Sequence, residues 1–272
     1  MPIDLNIIET GIITAALAGA RIIRNHLSSE KYSIEMKTSH SDLVTDVDFK
    51  VTTTVKHILS RFFPDIPVIS EDTLPEEERG PGNKSGSEKI YVDPIDGTLN
   101  FVHGYGEFAI SIGYWHDTYP VAGVVINPFR NDFFTGIKGQ GAFWNDLPLK
   151  TSSISTLQEA MLATGWPFKK EDTQRAGKVI IELCSLCQEV RIIGSAALGI
   201  CYVAAGLFDG YWEENLGPWD MAGAAAIASE AGARITDAAG GELVLSNGSI
   251  TVSNGLIHDM IVETTRKLFF RQ

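Results

Sequence analysis

Residues 91–100 read Tyr-Val-Asp-Pro-Ile-Asp-Gly-Thr-Leu-Asn and directly follow an apolar strand pattern. The segment brings two carboxylates, Asp93 and Asp96, into one turn with a rigid proline and a glycine. Carboxylate oxygens suit Mg²⁺, which prefers a few of them together with water and substrate phosphate. The turn therefore predicts a metal site. An ordinary strand-to-turn corner is the alternative, because Asp, Pro and Gly are common in turns.

The residues that follow Asp96 predict a phosphate site beside the metal. Gly97 has no Cβ to keep a phosphate away from the backbone. If Thr98 and Leu99 open a helix, their free N–H groups and the positive end of the helix dipole face the bound anion. The whole segment is therefore typical of a site that handles a phosphate group with the help of a divalent cation.

A second segment, residues 217–226, places Asp220 at the start of a long helix pattern made of small residues. The two segments together resemble the signatures of the inositol monophosphatase family, which are Asp-Pro-x-Asp-Gly-Ser/Thr and Trp-Asp followed by small residues. The resemblance extends from about Asp42 to Asn254. It includes the run Ile-Ser-Glu-Asp at residues 69–72.

The resemblance implies a full set of metal ligands. Glu71, Asp93 and the backbone carbonyl of Ile95 would hold a first Mg²⁺, while Asp93, Asp96 and Asp220 would hold a second, with Asp93 bridging. A third, weaker ion would rest on Glu71 and water, and Mn²⁺ is an alternative to Mg²⁺. The sequence adds that Glu71 ends a strand pattern, so two neighbouring strands ending at one edge would bring it beside Asp93.

The resemblance also implies catalytic and phosphate-binding roles. Asp48 and Thr98 would orient and deprotonate the attacking water, with Glu71 as a further catalytic residue, although Asp48 also fits an ordinary helix cap. Gly97 and Thr98 would donate backbone N–H bonds to the phosphate. Lys37 matches a family lysine near the phosphate and the third metal, and a solvated loop lysine is the alternative.

On the leaving-group side, Glu213 and the backbone at Ser195 and Ala196 resemble positions that hold sugar hydroxyls. A carboxylate orients vicinal hydroxyls through charge-assisted hydrogen bonds. Gly217 stands where some animal members of the family carry a histidine, so their inositol selectivity is not carried over. The run Gly-Trp-Pro-Phe at residues 165–168 looks like the bacterial branch. None of the six histidines is assigned to catalysis, since no two have metal-binding spacing.

The function that the resemblance implies is a lithium-sensitive, Mg²⁺-dependent phosphoric monoester hydrolase that acts on inositol monophosphate by direct attack of water. Fructose 1,6-bisphosphatase and a 3′-phosphatase of adenosine bisphosphate share this chemistry. The nucleotide enzyme is less favoured, because no basic or aromatic cradle for adenine is evident. A regulatory interaction protein in transcription complexes is the alternative from another class. Members of the family commonly form homodimers.

The composition fits such a protein. The 272 residues include 34 acidic and 22 basic ones, and the formal charge of −12 argues against nucleic acid as a direct partner. The apolar stretch 11–20 is preceded by Asp4 and Glu9, where a signal peptide needs basic residues, and we see no stretch of about 18 apolar residues that would span a membrane. We therefore expect a cytoplasmic protein whose partner is a small phosphate monoester.

The three cysteines point to the same compartment. They cannot all pair with one another and none sits in a small disulfide scaffold, so a reducing cytoplasm is expected. Cys184 and Cys187 form a Cys-x-x-Cys run in a helix pattern from Asp172 to Gln188. Buried thiols are the preferred interpretation there, with a redox or zinc pair as the alternative.

The residue pattern changes near Thr151 and predicts two halves. Residues 1–150 combine two helices with strands of an antiparallel sheet, which predicts an α+β half that carries most of the metal ligands. Residues 151–272 alternate short strands and helices, which predicts an α/β half with Asp220 and the substrate side. The resemblance implies a layered αβαβα sandwich with the active site between the halves.

Overall fold

The computed structural model describes residues 3–27, 33–36, 43–71, 88–167 and 170–269. The α-helices in these ranges are α1 (Leu5–Leu27), α2 (Asp46–Phe62), α3 (Thr98–Val102), α4 (Lys170–Leu186), α5 (Ala196–Ala204), α6 (Pro218–Glu230) and α7 (His258–Phe269). The strands are β1 (Ile34–Met36), β2 (Leu43–Thr45), β3 (Val68–Ser70), β4 (Glu88–Asp96), β5 (Ala109–His116), β6 (Tyr119–Asn127), β7 (Asp132–Ile137), β8 (Gly141–Trp144), β9 (Leu147–Pro148), β10 (Met161–Thr164), β11 (Glu189–Ile192), β12 (Gly210–Glu214), β13 (Arg234–Thr236) and β14 (Ser249–Ser253).

Helix α1 is the first of the two helices expected in this half of the chain, and it packs beside α2. Its buried side chains recur every third or fourth residue, from Ile8 and Ile12 to Ile23, so one face enters the core.

Helix α1 is also long and apolar enough to cross a membrane by length and composition, which differs from the expectation drawn from the sequence. Core helices of soluble proteins meet the same criterion, so this finding alone assigns no location.

The larger sheet has seven strands in the order β3-β4-β5-β6-β7-β8-β9. Strands β3 and β4 pair in parallel, and every other neighbouring pair is antiparallel, as the strand pattern predicted. Alternating residues of each strand face opposite sides. Ile90 and Ile110, for example, pack with α1 and α2, while Tyr91 and Ala109 face the other side of the sheet.

The smaller sheet has five strands in the order β11-β10-β12-β14-β13. Its inner side chains, such as Tyr211 and Val252, share a core with α5, α6 and the second face of the larger sheet. Its outer side chains, such as Leu162 and Trp212, pack with α4 and α7. The layers therefore run α1/α2, sheet, α5/α6, sheet, α4/α7, which confirms the αβαβα sandwich.

Helix α6 lies unusually close to the larger sheet because three glycines form a row beneath it. Gly113, Gly123 and Gly136 are neighbours across β5, β6 and β7. An added Cβ would lie 2.5 Å from Ala222 C at Gly113, 2.1 Å from Gly223 O at Gly123 and 2.6 Å from Ile227 Cα at Gly136. The helix backbone itself therefore rests on the sheet, and Trp115 Nε1 adds a 3.0 Å hydrogen bond to Ala222 O.

The expectation of two buried thiols in α4 was wrong. Cys184 is exposed and Cys187 is half-buried, whereas Leu183 in the last turn of α4 is fully buried, so the core-facing side of the helix carries Leu183 and not Cys184. The buried cysteine is Cys201, in α5. All three thiols are free.

We expect Gly123→Ala to destabilise the fold by about 1–3 kcal/mol, because the added methyl group must push α6 away from the sheet. Urea denaturation followed by circular dichroism measures this change. Gly177→Ala is the matched control: Gly177 lies within α4 and a Cβ there would meet nothing within 4 Å, so alanine should stabilise by roughly 0.5–1 kcal/mol. Equal unfolding midpoints for the two variants would contradict this close approach of helix and sheet.

Candidate active site

Residues 91–100 form a strand end with a bulge rather than a free turn. Strand β4 continues through Asp93 to Asp96, and its pairing with β5 shifts register between these two residues. A bulge bends the strand and re-aims its side chains. Ile95 N donates to Asp93 Oδ1 at 3.1 Å, which fixes the Asp93 carboxylate at the end of the strand.

Gly97 and Thr98 complete this corner, and the role of Gly97 toward a phosphate stays a prediction. Thr98 opens the short helix α3 and its hydroxyl donates to Ile95 O at 2.9 Å. Gly97 has a φ of +90°, and a Cβ there would lie 2.9 Å from the carbonyl oxygens of Glu107 and Gly194. Backbone on both sides thus excludes a side chain at this position.

Three carboxylates from distant parts of the chain converge at this corner. Each of Asp93, Asp96 and Asp220 offers an oxygen, and these oxygens all lie within 4.8 Å of one another. Asp220 arrives from the first turn of α6, which begins with Pro218 and is capped by a 2.7 Å bond from Gly217 N to Asp220 Oδ2. The glycine row under α6 thereby sets the position of the third carboxylate.

Asp96 is held by the start of α5. Its carboxylate accepts from the Ser195 hydroxyl, from Ala196 N at 3.2 Å and from Ala197 N at 2.9 Å. Ser195 also caps α5, since its hydroxyl accepts from Leu198 N at 3.2 Å. Ser195 and Ala196 do line the cavity, but the bonds they make run to a proposed metal ligand, whereas the resemblance implied sugar hydroxyls.

Glu71 lies at the same edge of the larger sheet. The parallel register pairs Ser70 with Val92, so the next residues along the two strands are Glu71 and Asp93. Glu71 lines the same cavity as the three aspartates, and its charge contributes to raising the pKa of Asp93. It stands outside the group of oxygens within 4.8 Å.

Burial and mutual repulsion make these carboxyls hard to ionise together. Burial raises the pKa of Asp93 well above its ordinary value, and the charges of Asp220, Asp96 and Glu71 raise it further. Burial likewise raises the pKa of Asp220 to about 8. The pKa of Asp96 is raised to about 6, with burial opposed by its bonds from Ser195, Ala197 and Ala196. A divalent cation would relieve this repulsion.

The structure places Asp48 in a helix cap. Asp48 Oδ2 accepts from Thr45 N at 2.8 Å and from the Thr45 hydroxyl at 2.6 Å, and the Thr45 hydroxyl in turn caps α2. Asp48 is buried and is not among the described residues that line the cavity, whereas Thr98 is. The alternative interpretation of Asp48 as a cap is thus realised, and its role toward water stays a prediction. Lys37 lies outside the described residues.

The cavity has a volume of about 330 Å³ and extends from the carboxylates to solvent. Glu213 lines it and accepts from the Tyr211 hydroxyl. Burial raises the pKa of Glu213 to about 8. A Cβ at Gly165 would lie 1.8 Å from Glu213 Oε1, so this carboxylate occupies the space that a side chain at residue 165 would take.

Sequence reasoning missed two features of the cavity. Tyr105 and Trp166 line it, so aromatic side chains lie near the site although no aromatic cradle was evident from the sequence. Asn100 joins the two sides of the cavity, because its Nδ2 donates to Glu107 O at 2.6 Å and to Ile193 O at 2.8 Å. The available signal for the aromatic lining was the position of Trp166, two residues after the end of β10 and near the carboxyl end of a parallel strand pair.

The donor set fits Mg²⁺. Hard carboxylate oxygens from three aspartates meet in a buried pocket, and none of the described residues that line the cavity is a lysine, arginine or histidine that could neutralise them. Such oxygen ligands suit Mg²⁺ or Mn²⁺, while the softer metals prefer sulfur and imidazole. Ile95, whose carbonyl oxygen accepts from the Thr98 hydroxyl, and Glu71 line the same cavity and add further oxygen atoms beside the three aspartates.

Comparison with known proteins identifies the same family over nearly the whole chain. The model of the inositol monophosphatase family matches residues 4–268. Three similar curated proteins are Nus factor SuhB of Vibrio cholerae (36% identical, covering 91% of each chain), an inositol-1-monophosphatase of Rhizobium meliloti (35%, 92% of each) and a fructose-1,6-bisphosphatase/inositol-1-monophosphatase of Thermotoga maritima (34%, 87% of each). Among solved structures, the suhB protein of Bartonella henselae superimposes with a TM-score of 0.86 at 30% identity, over 96% of this chain and 98% of that one.

We expect the metal-free protein to lose stability as the pH rises from about 4 to about 8. The carboxyls of Asp96 and Asp220 keep their protons in the folded state above the ordinary value of 3.8, so ionising them costs folding free energy across this range. Thermal unfolding in EDTA at a series of pH values measures the loss.

Added Mg²⁺ should raise the melting temperature most at pH 8, and Asp220→Asn should reduce that rise. Asp65→Asn, an exposed aspartate, serves as the control and should respond to Mg²⁺ like the unaltered chain. A Mg²⁺ effect that is absent at pH 8, or equal at pH 5 and pH 8, would contradict the assignment.

Proposed function

Because this chain belongs to the inositol monophosphatase family, a family of Mg²⁺-dependent phosphatases, we propose that it hydrolyses inositol monophosphate by direct attack of water. The observation that carries this proposal is the convergence of Asp93, Asp96 and Asp220 on one buried point. Acidic residues gathered without a basic partner bind cations, and a phosphatase needs cations to bring an anionic substrate into an acidic pocket. The chain as a whole carries a formal charge of −12, which makes that need greater.

The proposed metal ligands divide into two overlapping sets. Glu71, Asp93 and the Ile95 carbonyl form one set, and Asp93, Asp96 and Asp220 form the other. The short separation of the three aspartate oxygens supports the second set, and the register of β3 on β4 supports the first. Two such ions, with a third weaker one in addition, would activate water and stabilise the charge on the attacking and leaving oxygens.

The chain's own groups would then position the substrate. We assign the backbone N–H groups of Gly97 and Thr98 to the phosphate, and we assign Asp48 with Thr98 to the orientation of the attacking water. Glu213 would accept hydroxyls of the leaving group, since it is buried in the cavity wall and held by Tyr211. Lys37 stays a proposed phosphate contact.

The bisphosphate substrates are less well supported than a single phosphate monoester. A second phosphate would need a cationic partner, and the described lining of the cavity offers none. The Thermotoga maritima relative is named for both fructose 1,6-bisphosphate and inositol 1-phosphate activities, so fructose 1,6-bisphosphate stays in the proposed substrate panel. We also propose a cytoplasmic location, in keeping with the three free thiols of the chain. A homodimer is proposed from the resemblance to the family alone.

Purified protein should release phosphate from inositol 1-phosphate with Mg²⁺ and stop when EDTA is added. Asp93→Asn should lower kcat by at least about 100-fold, because Asp93 belongs to both proposed ligand sets and loss of such a residue would cost more than the 10- to 100-fold typical of outer contacts. A phosphate-release assay measures this, with Asp65→Asn as the exposed control. In the same assay, kcat/KM for inositol 1-phosphate should exceed that for fructose 1,6-bisphosphate and adenosine 3′,5′-bisphosphate. Unchanged turnover in Asp93→Asn would defeat the assignment.

A regulatory interaction protein is the second candidate, because one relative at 36% identity carries the name Nus factor. In cells that lack the protein, an Asp96→Asn chain should fail to restore the normal phenotype if phosphate hydrolysis is the function, since Asp96 is one of the three clustered carboxylates. If the Asp96→Asn chain, present at the same abundance as the wild-type chain, restores the normal phenotype, the binding role is favoured over the enzymatic one.

A further inference from the structure

The hydroxyl of Ser111 lies buried in the larger sheet and has no hydrogen-bond partner among the described residues. Ser111 belongs to β5, and its side chain is fully buried. A polar atom that is buried away from water and left unpaired costs free energy, so packing alone would favour alanine at this position. An orphaned hydroxyl of this kind therefore needs an explanation in what the protein does.

The strands on the two sides of Ser111 place it between an apolar residue and an acidic one. Ser111 pairs with Val125 of β6 on one side and with Asp93 of β4 on the other. Residues that pair directly across two antiparallel strands point to the same face of the sheet, with their Cβ atoms about 4.5–5.5 Å apart. The Ser111 side chain is therefore a direct neighbour of the Asp93 side chain, which belongs to the cluster of three aspartates.

Helix α6 covers this hydroxyl. A Cβ at Gly223 would lie 2.5 Å from Ser111 Oγ, so the backbone of α6 passes directly over it. Gly223 follows Asp220 by three residues, and residues three apart share one face of a helix. Ser111 thus lies in the seam between the strand that carries Asp93 and the helix that carries Asp220.

The Asp93 carboxylate has room for a further donor. Its Oδ1 accepts from Ile95 N at 3.1 Å, and it also shares a hydrogen bond with the Asp220 side chain, which a cation between the two carboxyls would replace. The two oxygens of a carboxylate offer about four lone-pair sites, so the Ile95 bond and a cation leave a site for a hydroxyl. Rotation about the Cα–Cβ bond moves a serine Oγ between three staggered positions, which lets the Ser111 hydroxyl turn toward Asp93.

Asp96 shows how this protein holds a carboxylate of the cluster. It accepts from the Ser195 hydroxyl and from two backbone N–H groups at the start of α5. Donors behind a metal-binding carboxylate fix its orientation and raise the affinity for the metal. A bond from Ser111 would give Asp93 a further donor of the same kind as Ser195.

We propose that Ser111 is a positioning residue of the metal site, whose hydroxyl donates to the Asp93 carboxylate when a divalent cation is bound. The bond orients the one aspartate that belongs to both proposed ligand sets. The proposal rests on the proposed function, which places the cation at the aspartate cluster. In the cation-free protein the hydroxyl stays unpaired, so the free-energy cost of burying it is offset only when the cation binds.

The test measures Mg²⁺ affinity and folding stability in the same variant. Ser111→Ala should raise the dissociation constant of Mg²⁺, measured by isothermal titration calorimetry, by about 10-fold, because loss of a contact behind a metal ligand typically costs 10- to 100-fold. In EDTA the variant should unfold at a urea concentration equal to or above that of the unaltered chain, since it loses an unpaired hydroxyl and no bond. Phosphate release should need more Mg²⁺ by the same factor and should approach the unaltered kcat at saturating Mg²⁺.

Thr251→Val is the matched control. Thr251 Oγ1 is also buried without a hydrogen-bond partner among the described residues, but it lies in β14 of the smaller sheet, opposite Trp212 on the outer face. Valine keeps the shape of threonine and removes the hydroxyl. Thr251→Val should likewise keep or raise the urea midpoint in EDTA, and it should leave the dissociation constant of Mg²⁺ unchanged.

Three results would overturn the role of Ser111 while the proposed function stands. The first is an unchanged Mg²⁺ affinity in Ser111→Ala. The second is a loss of stability in EDTA that accompanies the loss of affinity, because the serine then supports the fold itself. The third is an equal loss of affinity in Thr251→Val, which would be a general effect of removing a buried hydroxyl.

Failure of the proposed function gives a different pattern. If the unaltered chain binds no Mg²⁺, the metal site and the role of Ser111 fall together. If the unaltered chain binds Mg²⁺ but hydrolyses none of the phosphate esters, the proposed function fails alone. Calorimetry of Ser111→Ala then still decides whether the hydroxyl contributes to cation binding.

Discussion

The contact of the α6 backbone with the glycine row of the larger sheet is the constraint on which the site depends. Gly113, Gly123 and Gly136 leave no Cβ between the sheet and the helix, so the helix can rest directly on the strands. Asp220 stands in the first turn of that helix, and Asp93 and Asp96 stand at the end of a strand in the sheet. A side chain at any of the three glycines would push the helix away from the sheet and so move Asp220 relative to Asp93 and Asp96. The chemistry at one end of α6 is thus set by packing along its length.

The second consequence of this packing is electrostatic. Acidic groups that are brought together and buried cost free energy when they ionise, and Asp93, Asp96 and Asp220 all have raised pKa values for that reason. The protein offsets part of the cost at Asp96 through three donors at the start of α5. A bound cation would offset the rest of this free-energy cost. Cation binding and folding stability are therefore linked in this fold.

The sequence was sufficient for the elements whose signals are local. A few neighbouring residues are enough to predict the helical periodicity of α1, the cap that begins α2 and the two aspartate motifs. The layered sandwich follows from the resemblance of these motifs to a known family. The aromatic lining of the cavity and the role of Asn100 could not be predicted in this way. Trp166 and Tyr105 become neighbours of one cavity only when loops from both sheets are placed, and the two carbonyls that Asn100 joins lie 93 and 7 residues away. Cys184 shows the opposite failure, since helical spacing alone does not tell which face of α4 meets the core.

The position of α6 in the chain has a consequence for synthesis on the ribosome. The strands of the larger sheet are complete by Pro148, yet one of their faces is covered by a helix that begins at Pro218. Domains fold as units while the chain emerges at about 5–20 residues per second. This face of the sheet therefore stays uncovered for several seconds, until α6 has been synthesised. During that interval the nascent chain presents an apolar surface of the kind that chaperones bind, and its acidic cluster lacks one member. The three aspartates can therefore meet only after α6 has emerged and packed against the sheet.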